Sequence, residues 1–159
     1  MRLSEVRIKN YRLLIDAKLD VDAKTTLIVG RNNTAKTSCS SCINTVLQGS
    51  DFSYNDYPLS KREGLHNLFL QFMEKKLSYE DLCKKIETIS IEFLVDYSLD
   101  DPDAKLGALS PFIIDVDVDT TTALICVEYQ LKTDENKLRE LFKDSCYSEG
   151  QFDPNAEEM

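Results

Sequence analysis

With 159 residues, 42% of them apolar, the chain is long enough to bury a core and reads as one domain or part of one. Its formal charge of −9 is unevenly placed: residues 1–37 carry eight Lys or Arg against four Asp or Glu, net +4, so residues 38–159 carry −13. The acidic remainder argues against a free-standing nucleic-acid grip, which needs a basic face of its own, and no apolar run is long enough for a signal peptide or a membrane span.

In chain order, residues 1–9 alternate apolar and polar positions around Leu3, Val6 and Ile8, with one irregular step, and read as a strand. Asn10-Tyr11-Arg12 turns the chain, residues 17–22 form a second extended run, and Ala23-Lys24 turns it again. Leu27 to Val29 is an apolar run bounded by Gly30, as a buried strand should be, and Ser38 to Leu47 continues as a helix without Gly or Pro. The loop between them faces a helix N-terminus, whose unpaired N–H groups and positive dipole end favour an anion. A di- or triphosphate fits the amides of Arg31 to Thr37, with Lys36 reaching the β- and γ-oxygens. The Thr37 hydroxyl then joins a magnesium ion that keeps most of its waters.

The stretch Gly30-Arg31-Asn32-Asn33-Thr34-Ala35-Lys36-Thr37 follows the pattern Gly, four residues, Gly, Lys, Ser or Thr, except that Ala35 stands where the second Gly belongs. One methyl is tolerated there if φ is negative and is costly if the position needs the left-handed region. Cys39 and Cys42 follow as a C-x-x-C pair, but no second pair or His cluster completes a zinc site. They read as small residues packing the helix onto a sheet. With Cys83, Cys126 and Cys146 they make an odd set, which points to reduced thiols and a cytoplasmic chain.

Taken together, Arg2 to Arg12, Leu19-Asp20-Val21 and Leu27 to Ser38 resemble the start of the RecF, SMC and OLD group of ABC-type ATPases. The shared order is strand, Asn-aromatic-Arg, strand, Gly-x-Asn-Asn-x-Gly-Lys-Thr-Ser. The Arg31-Asn32-Asn33-Thr34 form is most similar to OLD-family ATP-dependent endonucleases, whose relatives include phage-defence ATPases. The match covers roughly the first 50 residues. It implies an α/β P-loop NTPase fold, the N-terminal half of an ABC-type ATPase, with a mixed sheet and flanking helices. It also implies ATP and magnesium as cofactors, held by Gly30, Arg31, Asn32, Asn33, Thr34, Ala35, Lys36, Thr37 and Ser38, with Thr37 on the metal. Arg12 matches the Arg that lies beside the nucleotide in related ATPases; its other reading is a solvated turn residue.

Residues 49–58 are polar and aromatic and read as a loop. Asp56 within it could hold a water on magnesium, but capping the next helix is the favoured reading. Ser60 to Lys76 is an amphipathic helix with Leu65, Leu68, Phe69, Phe72 and Met73 on one face, and the lone His66 reads as a surface or packing residue. Ser78 can N-cap a short helix from Tyr79. Residues 88–97 and 122–131 read as an antiparallel pair, 99–121 as an exposed acidic loop, 134–143 as a helix and 148–159 as a frayed or truncated tail. Asp115 to Asp119 is no EF-hand, because Thr120 and Cys126 stand where Gly and Glu are required. The resulting division is 1–50 for strands, loop and helix, 51–86 helical, 87–145 for the strand pair, acidic loop and helix, and 146–159 for the tail.

A Walker B strand ends in paired acids, whereas Phe112-Ile113-Ile114-Asp115 and Leu124-Ile125-Cys126-Val127-Glu128 each end in one. Tyr147-Ser148-Glu149-Gly150-Gln151 matches three of the five places of the family signature, but eight residues follow it, too few for the helix and strand that come next, so it reads as coincidence. Catalytic residues are therefore unknown, and hydrolysis by the chain alone is not expected. ABC-type ATPases close their sites between two copies, which implies a homodimer, a higher homo-oligomer or a complementary ATPase chain. Contact with DNA would come through regions beyond residue 159, and no membrane is involved. Three functions fit: the ATP-binding portion of an OLD-like endonuclease acting on DNA in phage defence, the same portion of a SMC- or RecF-like repair ATPase, or a short non-enzymatic module that docks on and regulates a full-length ATPase.

Overall fold

The computed structural model of the chain describes residues 1–31, 34–97, 121–145, 147–148 and 151–152. The elements are β1 (Arg2–Tyr11), β2 (Leu14–Asp20), α1 (Lys36–Leu47), a 3-10 turn (Tyr54–Asp56), α2 (Leu59–Met73), α3 (Tyr79–Lys85), β3 (Ile89–Asp96), β4 (Thr122–Tyr129) and α4 (Glu135–Ser145). A short hairpin of β5 (Tyr147–Ser148) and β6 (Gln151–Phe152) follows within the expected tail. Residues 99–120 of the acidic loop, with the Asp115–Asp119 run and Phe112–Asp115 inside them, lie outside the described residues, as do Glu149 and Gly150. The chain divides into two units, Met1–Glu63 with Glu87–Tyr129, and Gly64–Ile86 with Gln130–Met159.

In the first unit the sheet has the order β2-β1-β3-β4 and is antiparallel at every step. Period-two alternation explains it: Val6 lies opposite Leu19 and Phe93, and Ile8 opposite Ala17 and Ile91, so one face is apolar. Val6, Ile8, Ile89 and Ile91 are buried there. The other face carries charge across the strands, with Glu92 lying 3.7 Å from Arg7 and 3.9 Å from Lys9. Glu5 pairs with both Arg7 and Lys18. The irregular step expected in the first strand is a register shift between Leu3 and Glu5.

Two expectations need correction. The described sheet is antiparallel, not mixed, and Leu27 to Val29 is not a buried strand. That segment lies outside the sheet, with Leu27, Ile28 and Val29 exposed at 80%, 39% and 76%. A buried strand needs a ladder partner and cover on both faces, and no described strand pairs with this one. The first turn is also tighter than expected. Asn10 and Tyr11 stay in β1, and Arg12-Leu13 makes a two-residue connection with φ +50° at Arg12, the sign a II′ hairpin turn needs at its first central residue.

Helix α1 packs on this sheet through its small residues: Cys42 is wholly buried, Ser38 is buried, and the Ser41 hydroxyl lies 3.2 Å from that of Tyr11. It ends where Gly49 takes φ +64°, and the Ser50 N–H bonds the Thr45 carbonyl at 3.0 Å. In the second unit Phe72, Leu77, Leu82 and Leu138 form a core, with Leu68, Phe69 and Met73 against it. Four of the five apolar residues expected on one face of α2 meet there; Leu65 does not belong to that cluster. Ser78 caps α3 as expected, accepting from the Asp81 N–H at 3.1 Å.

Candidate nucleotide-phosphate site

Helix α1 starts at Lys36 instead of Ser38, which makes Lys36, Thr37 and Ser38 its first turn and Ala35 its N-cap residue. No side chain caps this end, and no acid lies in the first turn. The first-turn N–H groups therefore keep the positive end of the helix uncompensated, which is the condition for holding an anion.

Ala35 has φ +63° and ψ +10°, so the position that the pattern reserves for Gly does need the left-handed region. The methyl costs about 1 kcal/mol there relative to Gly. Gly30 is needed for space instead, since a Cβ built on it would stand 2.8 Å from the Thr34 hydroxyl oxygen.

Lys36 closes the loop on itself. Its ammonium donates to the Gly30 carbonyl at 2.6 Å, to the Arg31 carbonyl, and to Thr34 Oγ1 at 3.3 Å. Thr34 in turn donates to the Arg31 carbonyl at 2.7 Å. The ammonium is thereby fixed across the residues that precede α1. Thr37 is exposed, so its hydroxyl is open to a hydrated ion, whereas Ser38 is buried. Asn32 and Asn33 lie outside the described residues.

Arg12 sits at the tip of the first hairpin, held to Asp56 by an ion pair at 2.8 Å between Nη2 and Oδ1. Its guanidinium also lies 5.1 Å from the centre of the Tyr11 ring. Asp56 caps its own 3-10 turn, because Oδ2 accepts the N–H and the hydroxyl of Ser53, both at 3.0 Å. Burial pushes the Asp56 carboxyl up, but the Ser53 N–H and Arg12 outweigh it and hold the group below its ordinary value. Sequence reasoning missed the partnership of Arg12 with Asp56. The Ser53-x-x-Asp56 spacing of a capping box marks the turn but not its bond to Arg12.

Burial pushes the Cys42 thiol up to about 12, with Cys39 and Asp56 adding to the effect, and raises Cys39 as well. Both act as packing groups, not as thiolates. Cys39 borders a cavity of about 150 Å³ walled by Val6, Ile8 and Ala17 of the sheet, by Ile28, and by Ala35 and Lys36 of the loop. Among the described residues no group of three His, Cys, Asp or Glu could hold a metal, so magnesium at this loop would rest on Thr37 and on phosphate oxygens. Leu124 to Glu128 lies on β4, the strand at one edge of the sheet, with Leu124 exposed.

An α/β chain whose first helix opens uncapped behind a Gly-to-Lys-Thr loop presents a candidate anion site at that helix. The AAA ATPase domain family matches residues 1–155, and the chain belongs to that family. Membership brings nucleotide binding, with ATP the nucleotide that such a domain uses. No curated protein and no solved structure matches the chain. Among the described residues no helix is long and apolar enough to cross a membrane.

Proposed function

We propose that the chain binds ATP with magnesium at the loop Gly30 to Ser38, and that this binding controls DNA cleavage in the manner of the OLD-family ATP-dependent endonucleases that its opening resembles. The observation that supports the binding site is the Lys36 ammonium held on the loop that leads into an uncapped helix. Lys36 meets the β- and γ-phosphate oxygens, and the N–H groups of Lys36 and Thr37 bond the phosphate from below. Thr37 would offer its hydroxyl to a magnesium ion, which when bound would supply positive charge against the phosphates. Arg12, half exposed beyond its bond to Asp56, keeps free donors on its guanidinium for the same nucleotide. Hydrolysis is assigned to a site completed by a second copy or a complementary ATPase chain.

The endonuclease part rests on Arg31-Asn32-Asn33-Thr34 and is tested in cells carrying the gene. If ATP state drives the function, Lys36→Ala abolishes phage restriction. Restriction that survives the substitution would favour the docking-module reading, to which the exposed Leu27 and Val29 lend an apolar contact surface.

A further inference from the structure

We propose that Thr34 sets the affinity of the loop: its hydroxyl is a latch that holds the Lys36 ammonium closed until a phosphate displaces it. The inference rests on the phosphate site proposed above.

An ammonium has three N–H donors. Lys36 has three acceptors, two loop carbonyls and Thr34 Oγ1, so every proton on Nζ is already engaged. The carbonyl bonds are the short ones, while the hydroxyl bond is 3.3 Å long and exposed, the weakest of the set. A phosphate oxygen makes a shorter, charge-assisted bond to an ammonium, and Thr34 is the first partner that the phosphate oxygens replace.

The latch is held in place by its neighbours. The Thr34 hydroxyl gives its one proton to the Arg31 carbonyl at 2.7 Å, which leaves only lone pairs facing Lys36. The same oxygen lies where a side chain at position 30 would begin, so Gly30 is what allows the hydroxyl into the mouth of the loop. Thr34 is thus oriented to hold the ammonium, and it has no proton left for the incoming ligand.

The test titrates ATP with magnesium, and separately inorganic tripolyphosphate, into wild type, Thr34→Val, Thr34→Ser and Lys36→Ala. Thr34→Val keeps the branched shape and removes the hydroxyl, so one Lys36 proton starts free; both ligands bind roughly twofold to fivefold tighter, the low end of the range for one hydrogen bond, because this one is long and exposed. Thr34→Ser restores the hydroxyl and returns affinity towards that of the wild type. A merely structural Thr34 would shift the melting temperature of the valine variant and leave its affinity at or below the starting value. If Thr34→Val fails to fold, Thr34→Ala takes its place. Unchanged or weaker binding by the hydroxyl-free variant, with binding lost in Lys36→Ala, overturns the latch alone. Equal binding by Lys36→Ala and wild type overturns the phosphate site, and the latch with it.

Discussion

Arg12 and Asp56, 44 positions apart, are joined through backbone and side chain at once: the Arg12 N–H reaches the Asp56 carbonyl at 2.7 Å, and Nε and Nη2 reach Oδ1 at 2.9 and 2.8 Å. The clasp fastens a hairpin tip whose Arg12 has φ +50°, a conformation that an L-residue holds only under constraint. Asp56→Ala removes the ion pair and both bonds to Ser53, and is expected to cost about 1–3 kcal/mol in urea unfolding. Arg12→Gly should cost less, because it relieves the backbone while losing the same pair. An Arg12→Gly loss larger than that of Asp56→Ala would place the importance of Arg12 elsewhere.

Acid should weaken the first unit through two carboxyls. Asp56 is held below its ordinary value as described, and Glu5 is lowered first by its bond to Lys18, against opposing burial, with Arg7 adding to the lowering. A folded value below the unfolded one means that the contribution is fully present above the ordinary carboxylate range, around pH 4. It is then lost as pH falls through the folded values. The urea midpoint is therefore expected to drop between about pH 5 and pH 2.5, and the double variant Glu5→Gln, Asp56→Asn should start lower and fall less steeply. An acid slope in that variant as steep as in the wild type would show that other carboxyls dominate.

Ala35→Gly should help at the one place where the loop departs from its pattern. The gain in stability is about 1 kcal/mol, from removing a Cβ at φ +63°, less the extra freedom that Gly has when unfolded. Thermal melting should rise, and ATP binding should tighten, because the loop no longer resists the conformation it must hold. Melting that falls would mean that the methyl makes packing contacts worth more than the strain.

Leu27→Ser with Val29→Thr should leave thermal stability within about 0.5 kcal/mol, since both side chains already face solvent. Ile28→Ser should destabilise more, because Ile28 lines the cavity beneath the loop. Light scattering checks the other consequence: exposed apolar residues on unpaired backbone favour association, so the double variant should be more monomeric than the wild type at high concentration. Equal association by the two would remove this segment as the contact.

The same segment shows what could be read in advance. An apolar run says that Leu27 to Val29 prefers burial, but not which strand would bury it, and that partner is a tertiary fact. Val6, Ile8 and Ile91 were legible because their alternation matches the strand period and both neighbouring strands alternate in register. Ser78 was legible because a cap acts within one turn. At Ala35 the sequence posed the question of φ and left the answer to the backbone. The Arg12–Asp56 clasp had no local signature joining its two halves, since the residues meet only once β1 and the segment after α1 are in place.

The most direct test of the phosphate site is calorimetric titration of the chain with ATP and magnesium, beside Lys36→Ala. The geometry predicts saturable binding by the wild type and a loss of about tenfold or more in the variant, since a charge-assisted contact to phosphate disappears. Binding of the same strength in both would contradict the assignment of Lys36, and with it the loop as the nucleotide site.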